Sequence, residues 1–221
     1  MRRAFLRAAS TRTGSVATLF DIPVSNNGAR ARMILYYKQI DDTEVTIASP
    51  ADLGGMDSSA FLELNPHGKV PCLVTTERKE AIPESDTIAR FLCAKFADRA
   101  PDLMPAEPMA AMRCDRITRH HDMYVASIQT ALYKVAGSAG PGIFPPFGSQ
   151  GSRAEALAEL VKQVGALDAL IDNDGPYLLG AQVRRSLDAQ APYVAIAWRL
   201  SATLYGRAPI NAPTSLACVH R

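Results

Sequence analysis

The chain has 221 residues, 48% hydrophobic and 21% charged, with a formal net charge of +2. That suits two small domains or one larger one with a true core, and no apolar run approaches the roughly 18 residues of a membrane span. Residues 1–20 hold four arginines and no acid, residues 184–221 five arginines and one aspartate, and the body between them a net charge of −6, a poor match for nucleic acid.

Residues 1–17 form a basic extension rich in Arg, Ala, Ser and Thr. Arg2, Arg3 and Arg7 with Phe5 and Leu6 suit a short basic amphipathic helix. Such a composition resembles an organellar transit peptide, mitochondrial ahead of plastid. Read instead as a disordered tail, it leaves the protein in the cytoplasm.

The next elements follow quickly. Residues 19–24 read as a strand ending near Pro23, and 28–39 as a helix. Residues 44–47 alternate polar and apolar, as a half-buried strand does. A short helix is expected over 57–64, then two strands at 70–75 and 79–82 joined by a turn. Residues 85–96 read as a helix with Ile88, Phe91, Leu92 and Phe96 on one face. The order over residues 18–100 is βαβαββα.

The strands then stop. Residues 101–108 hold three prolines in eight positions and read as a linker. Beyond it, Ile117, His121, Tyr124, Ile128, Ala131 and Val135 recur at spacings of four and three, which predicts one long helix over 109–136. A Gly- and Pro-rich loop occupies 137–151, and a helix follows over 153–172 with Leu157, Leu160, Val161, Val164, Leu167 and Ile171 inward. The all-helical region extends over 109–205, with Pro192 tolerated only in the first turn of its last helix. Residues 206–221 have no period and read as an irregular tail.

Cys72, Cys93, Cys114 and Cys218 have neither CxxC nor zinc-ligand spacing, and the adjacent His120 and His121 cannot share a helical face. No metal is expected, and four reduced thiols in a reducing compartment is the simplest reading.

Three motifs carry the chemistry. Ser25 stands in PVSNNGAR (23–30), at the turn from the first strand to the first helix. NPHGKVP fills 65–71. PESDTIARFL fills 83–92. Taken alone, Ser25 reads as a helix N-cap, Pro71 as the opening of an edge strand, Glu84 as part of an acidic first helical turn, and Lys69 as a solvated loop charge.

In this order and spacing the three motifs resemble the cytosolic glutathione transferase family, in its serine-using zeta-, theta- or tau-like classes. GPYLLG at 175–180 is similar to a segment late in that family's helical domain. The resemblance covers about residues 19–183. It implies an α/β thioredoxin-like N-terminal domain followed by an all-α C-terminal helical domain, with glutathione as co-substrate and a homodimeric assembly.

The resemblance also implies roles. A cis Val70-Pro71 bond would leave the Val70 backbone groups unpaired, to hold the cysteinyl backbone of glutathione as an added strand does. The helix start at Glu84 and Ser85 would take the γ-glutamyl carboxylate, with Glu84 on the ammonium. Lys69 would pair with the glycyl carboxylate. Ser25 would donate to the sulfur and favour the thiolate, each pKa unit of depression being worth about 1.4 kcal/mol. Arg113, Arg116, Tyr124 and the 137–151 loop are candidate walls for a small electrophile between the domains, although Tyr124 reads as core ahead of ligand contact.

Two features narrow the reading. No cysteine stands at the Ser25 turn, which argues against the thiol-transfer and dehydroascorbate-reducing branches; Cys72 reads as packed rather than reactive. Ser186-Leu187-Asp188 departs from the family's Ser/Thr-x-x-Asp capping box, which puts the helical domain's end in question. The alternatives to a transferase are a glutathione-dependent isomerase and a non-catalytic binding or assembly module of the same fold.

Overall fold

β1 (Ala17–Phe20) is buried along its whole length, as an inner strand of the sheet with a neighbour on each side. β2 (Val45–Ala48) pairs with it in parallel, with Leu19 opposite Ile47. β3 (Cys72–Thr75) pairs with it antiparallel on the other edge, with Leu19 opposite Leu73. β4 (Ala81–Pro83) completes the order β2-β1-β3-β4, antiparallel to β3. In this computed structural model, residues 14–128 and 153–171 are described. The expectations placed on 1–13, 129–152 and 172–221, GPYLLG and Ser186-Leu187-Asp188 among them, lie outside the described residues.

The parallel β1–β2 pair requires a crossover, which α1 (Asn26–Tyr37) supplies. Its buried face is Gly28, Arg30, Ala31, Ile34 and Leu35. α1 starts two residues earlier than 28, because Ser25 is its N-cap: the Ser25 hydroxyl accepts from the Gly28 N–H at 3.0 Å. β1 stops at Phe20 rather than running to 24, since Asp21 to Ser25 form the turn that presents this cap. α2 (Ser59–Leu64) is capped in the same way by Ser58. It drives Phe61 into a cluster with Phe20, Cys72 and Val74, where the two rings meet edge-to-face at 6.1 Å. α3 (Ser85–Lys95) buries Ile88, Ala89 and Leu92, with Phe96 just beyond it; Phe91 is half-buried.

Lys38, just past α1, is buried, and its ammonium donates to the carbonyls of Phe96, Arg99 and Pro101 at 3.0, 2.7 and 3.2 Å. The Phe96 carbonyl, at the C-cap of α3, also accepts from the Arg99 N–H at 3.2 Å, and the other two carbonyls belong to the segment beyond the helix. One cation thus fastens the end of one helix to the segment following another.

The chain divides into two compact units between Leu103 and Met104. In the second, α4 (Pro108–His120) begins with proline in its first turn, where the missing N–H costs nothing. Glu107 caps it, accepting from the N–H groups of Met109 and Ala110 at 2.8 and 2.6 Å. The long helix expected from periodicity is interrupted. His121–Val125 form a π turn, closed by the Ala126 N–H on the His121 carbonyl at 2.8 Å. The wider turn inserts one residue into the pattern, so Val125 takes the inward place expected for Tyr124, which is half-buried. Ile117, Val125 and Ile128 pack with Leu160, Val164 and Leu167 of α5 (Arg153–Asp168). Leu157, Val161 and Ile171 are half-buried rather than inward. His120 Nε2 donates to the Gln163 carbonyl at 3.0 Å and helps hold the two helices together.

Candidate active site

The Ser25 turn is built from behind by two residues. Arg32, on α1, donates to the carbonyls of Ile22, Pro23 and Ser25 at 3.2, 3.1 and 3.1 Å. Its charge is paired with Asp21, whose side chain is 1% exposed. Asp21 in turn lies on the α1 backbone so closely that a Cβ on Gly28 would fall 1.9 Å from its Oδ1. Position 28 therefore admits only glycine while Asp21 stays in place. Burial raises the Asp21 pKa above its ordinary value, against the opposing pull of Arg32, the Ile22 N–H and the Ser25 hydroxyl. Oδ1 itself has no hydrogen-bond partner.

Ser25 is half-buried, and its oxygen already accepts a helix N–H. A hydroxyl has one proton to donate and two lone pairs to accept with. Capping uses a lone pair; the single proton is drawn towards the Asp21 carboxylate, and rotation of the hydroxyl turns it to a ligand. Capping and hydrogen-bond donation to a ligand are therefore compatible roles for one side chain.

The start of α3 is the second part. Glu84 occupies the N-cap position with φ 69° and ψ 117°, a left-handed conformation uncommon outside glycine, and its side chain makes no capping bond. The reading of Glu84 as a cap of its own helix is thus not what the fold uses. Ser85 is 9% exposed, and its oxygen accepts from Arg30 at 2.9 Å. Arg30 is fully buried on the inner face of α1. A guanidinium beneath a helix N-terminus adds positive potential where free backbone N–H groups already favour an anion. The same contact ties the helix after Ser25 to the helix after Glu84.

The third part is the loop before β3. The Asn65 side chain donates to the Lys69 carbonyl at 2.7 Å and accepts from the His67 N–H at 3.1 Å. Gly68 supplies the positive φ of 58° that the turn needs. The Val70-Pro71 bond is cis. Val70 is half-buried, Lys69 exposed and Pro71 buried. Val70 precedes β3 and takes part in none of its strand pairings.

Sequence reasoning reached Ser25, Lys69, Val70, Pro71, Glu84 and Ser85 through backbone motifs. It missed Asp21, Arg30 and Arg32, whose contacts pack around the Ser25 and Ser85 turns, and gave no separate role to Asn65 of the NPHGKVP motif. One signal was present: Arg30 sits in register with Ala31 and Ile34 on the apolar face of α1, and a charge on such a face asks for a partner. Cys72 is buried, its thiol pushed up to about 11 by that burial. In the second unit Arg113 and Arg116 are exposed, and the Tyr124 ring lies 5.1 Å from that of His120. Among the described residues no group of three His, Cys, Asp or Glu side chains is placed to hold a metal ion.

A family model described as Glutathione S-transferase, N-terminal domain, matches residues 19–100, the stretch that carries all three parts of this site. Residues 19–100 are thus similar to the N-terminal domain of glutathione S-transferases, and the chain spans less than half the length of the curated relative it matches. Glutathione S-transferase 3 from Zea mays is 37% identical over 95 residues, an alignment spanning 42% of this chain and 40% of that protein. Solved glutathione transferases share the fold. Glutathione transferase F2 from Populus trichocarpa superposes with a TM-score of 0.63 at 18% identity, covering 87% of this chain and 88% of its own. A glutathione transferase family member from Pseudomonas fluorescens Pf-5, solved with two glutathione bound, reaches 0.67 at 15% identity over 92% of this chain and 87% of its own.

Proposed function

We propose that this protein is a glutathione transferase in which the Ser25 hydroxyl stabilises the thiolate of bound glutathione. The thiolate sulfur forms a bond to an electrophilic carbon, and the displaced group leaves with its electron pair or the adjacent atom takes up a proton. The observation that carries the reading is the position of Ser25. Its oxygen caps α1 at 3.0 Å from the Gly28 N–H, so its proton can be offered to sulfur where the helix end also favours negative charge.

The other contacts follow from the same frame. The α3 N-terminus, with Ser85 backed by Arg30, suits the γ-glutamyl carboxylate. Glu84 suits the ammonium beside it. Lys69 suits the glycyl carboxylate, and the Val70 backbone suits the cysteinyl unit. A homodimer is the assembly proposed with this function.

Retention on immobilised glutathione, followed by conjugation to a model electrophile, tests the reading. Ser25→Ala should be retained like the wild type yet conjugate about tenfold more slowly or worse, the equivalent of one lost pKa unit. Conjugation by Ser25→Ala at the wild-type rate would remove Ser25 from the mechanism. Retention with no conjugation by either protein would favour the non-catalytic alternative.

A further inference from the structure

Arg32 spends its guanidinium on the backbone of the loop that carries Ser25. Three carbonyls within four residues, those of Ile22, Pro23 and Ser25, converge on it at 3.1–3.2 Å. One of them belongs to Ser25 itself. The Nη1 that reaches the Ile22 carbonyl also meets Asp21, almost fully buried just past β1. A hydroxyl that must donate along one direction depends on where its own Cα is held, and small displacements of such a group cost heavily.

We propose that Arg32 is a positioning residue for Ser25: by gripping the 22–25 carbonyls it fixes the direction of the Ser25 hydroxyl, and Asp21 holds Arg32 in that grip. The inference rests on the proposed role of Ser25. It adds that the thiolate-stabilising power of this serine is set from behind the turn, by a side chain that acts through Ser25. Lysine cannot replace arginine in this role, because a single ammonium lacks the planar fork that spreads its donors over several acceptors. Gly28 belongs to the same device. Only a residue without Cβ leaves Asp21 its seat against α1.

The test is the ultraviolet thiolate absorbance of glutathione bound to the full-length chain, titrated against pH. The proteins compared are the wild type, Arg32→Lys, Ser25→Ala and the double variant. Arg32→Lys keeps the positive charge and loses the fork. Its midpoint should rise by about one pH unit, while the double variant should match Ser25→Ala alone. Asp21→Asn keeps the shape and removes the counter-ion, and should move the midpoint in the same direction by less. A wild-type midpoint in Arg32→Lys, with a raised one in Ser25→Ala, would overturn the inference and leave the role of Ser25 standing. An equal rise from Arg32→Lys in both serine and alanine backgrounds would also overturn it, because the arginine would then act without Ser25. A wild-type midpoint in Ser25→Ala would instead remove the serine mechanism and the inference with it. Should Arg32→Lys fail to fold, Asp21→Asn in the serine and alanine backgrounds decides the matter by the same comparison.

Discussion

Glu84 carries a cost that its neighbours do not. A non-glycine residue at φ 69° gives up about 1–3 kcal/mol of backbone energy, and no capping bond from its own side chain offsets this. Strain of that kind persists where the side chain is needed for something else. Glu84→Gly separates the two contributions. Glycine adopts the conformation freely, so the melting temperature should rise, while retention on immobilised glutathione should weaken for want of the carboxylate. A variant that melts lower than the wild type, or binds glutathione equally well, would contradict this reading. The residues that set such local demands were legible in the sequence when they act through the backbone. Ser25, Gly68 and Ser85 announce themselves by type and position in a turn. Arg30 and Arg32 work by reach, and reach depends on which segments the fold brings together, which a local motif does not encode.

At the scale of elements, helix ends decide much of the stability. Lys38 donates from a buried position to the C-cap carbonyl of α3 and to two carbonyls of the segment that follows it. Lys38→Met keeps the aliphatic stem and removes the donors, leaving those carbonyls short of partners. Loss of hydrogen bonds to a charged group predicts a drop of about 2 kcal/mol or more in denaturant unfolding; a change near zero would mean that water replaces the ammonium at no cost. α4 depends on a cap of opposite sign. The Met109 and Ala110 N–H groups lower the Glu107 pKa below its ordinary 4.5. The group is held in its charged form by the fold, so its stabilisation is full above 4.5 and is lost as pH falls through the depressed folded value. Glu107→Gln should therefore melt below the wild type at neutral pH, and the gap should close on acidification. A gap that widens towards acid would reverse the sign of this account. The strand and helix order of the first unit was readable because its caps, turns and alternation are local signals. The π turn was not: a strict period of 3.6 placed Tyr124 inward, and a single wide turn handed that place to Val125.

Over the whole molecule, a buried βαβ-ββα frame places Ser25, the Glu84-Ser85 helix start and the Val70 edge on residues 19–100, the span the glutathione transferase model matches. The family frame was legible because its motifs are contiguous and ordered along the chain. The electrophile side has no such contiguous motif: Arg113, Arg116 and Tyr124 were chosen by residue type, and of the three only Tyr124 lies in the π turn. The frame serves one proposed chemical act, keeping a thiol ionised near neutral pH. The pH midpoint of thiolate absorbance for glutathione bound to the wild type and to Ser25→Ala tests that act directly. The wild-type midpoint should lie at least about one unit below the ordinary thiol value of roughly 8.5, and Ser25→Ala should return it most of the way. Identical midpoints in the two proteins would contradict the account.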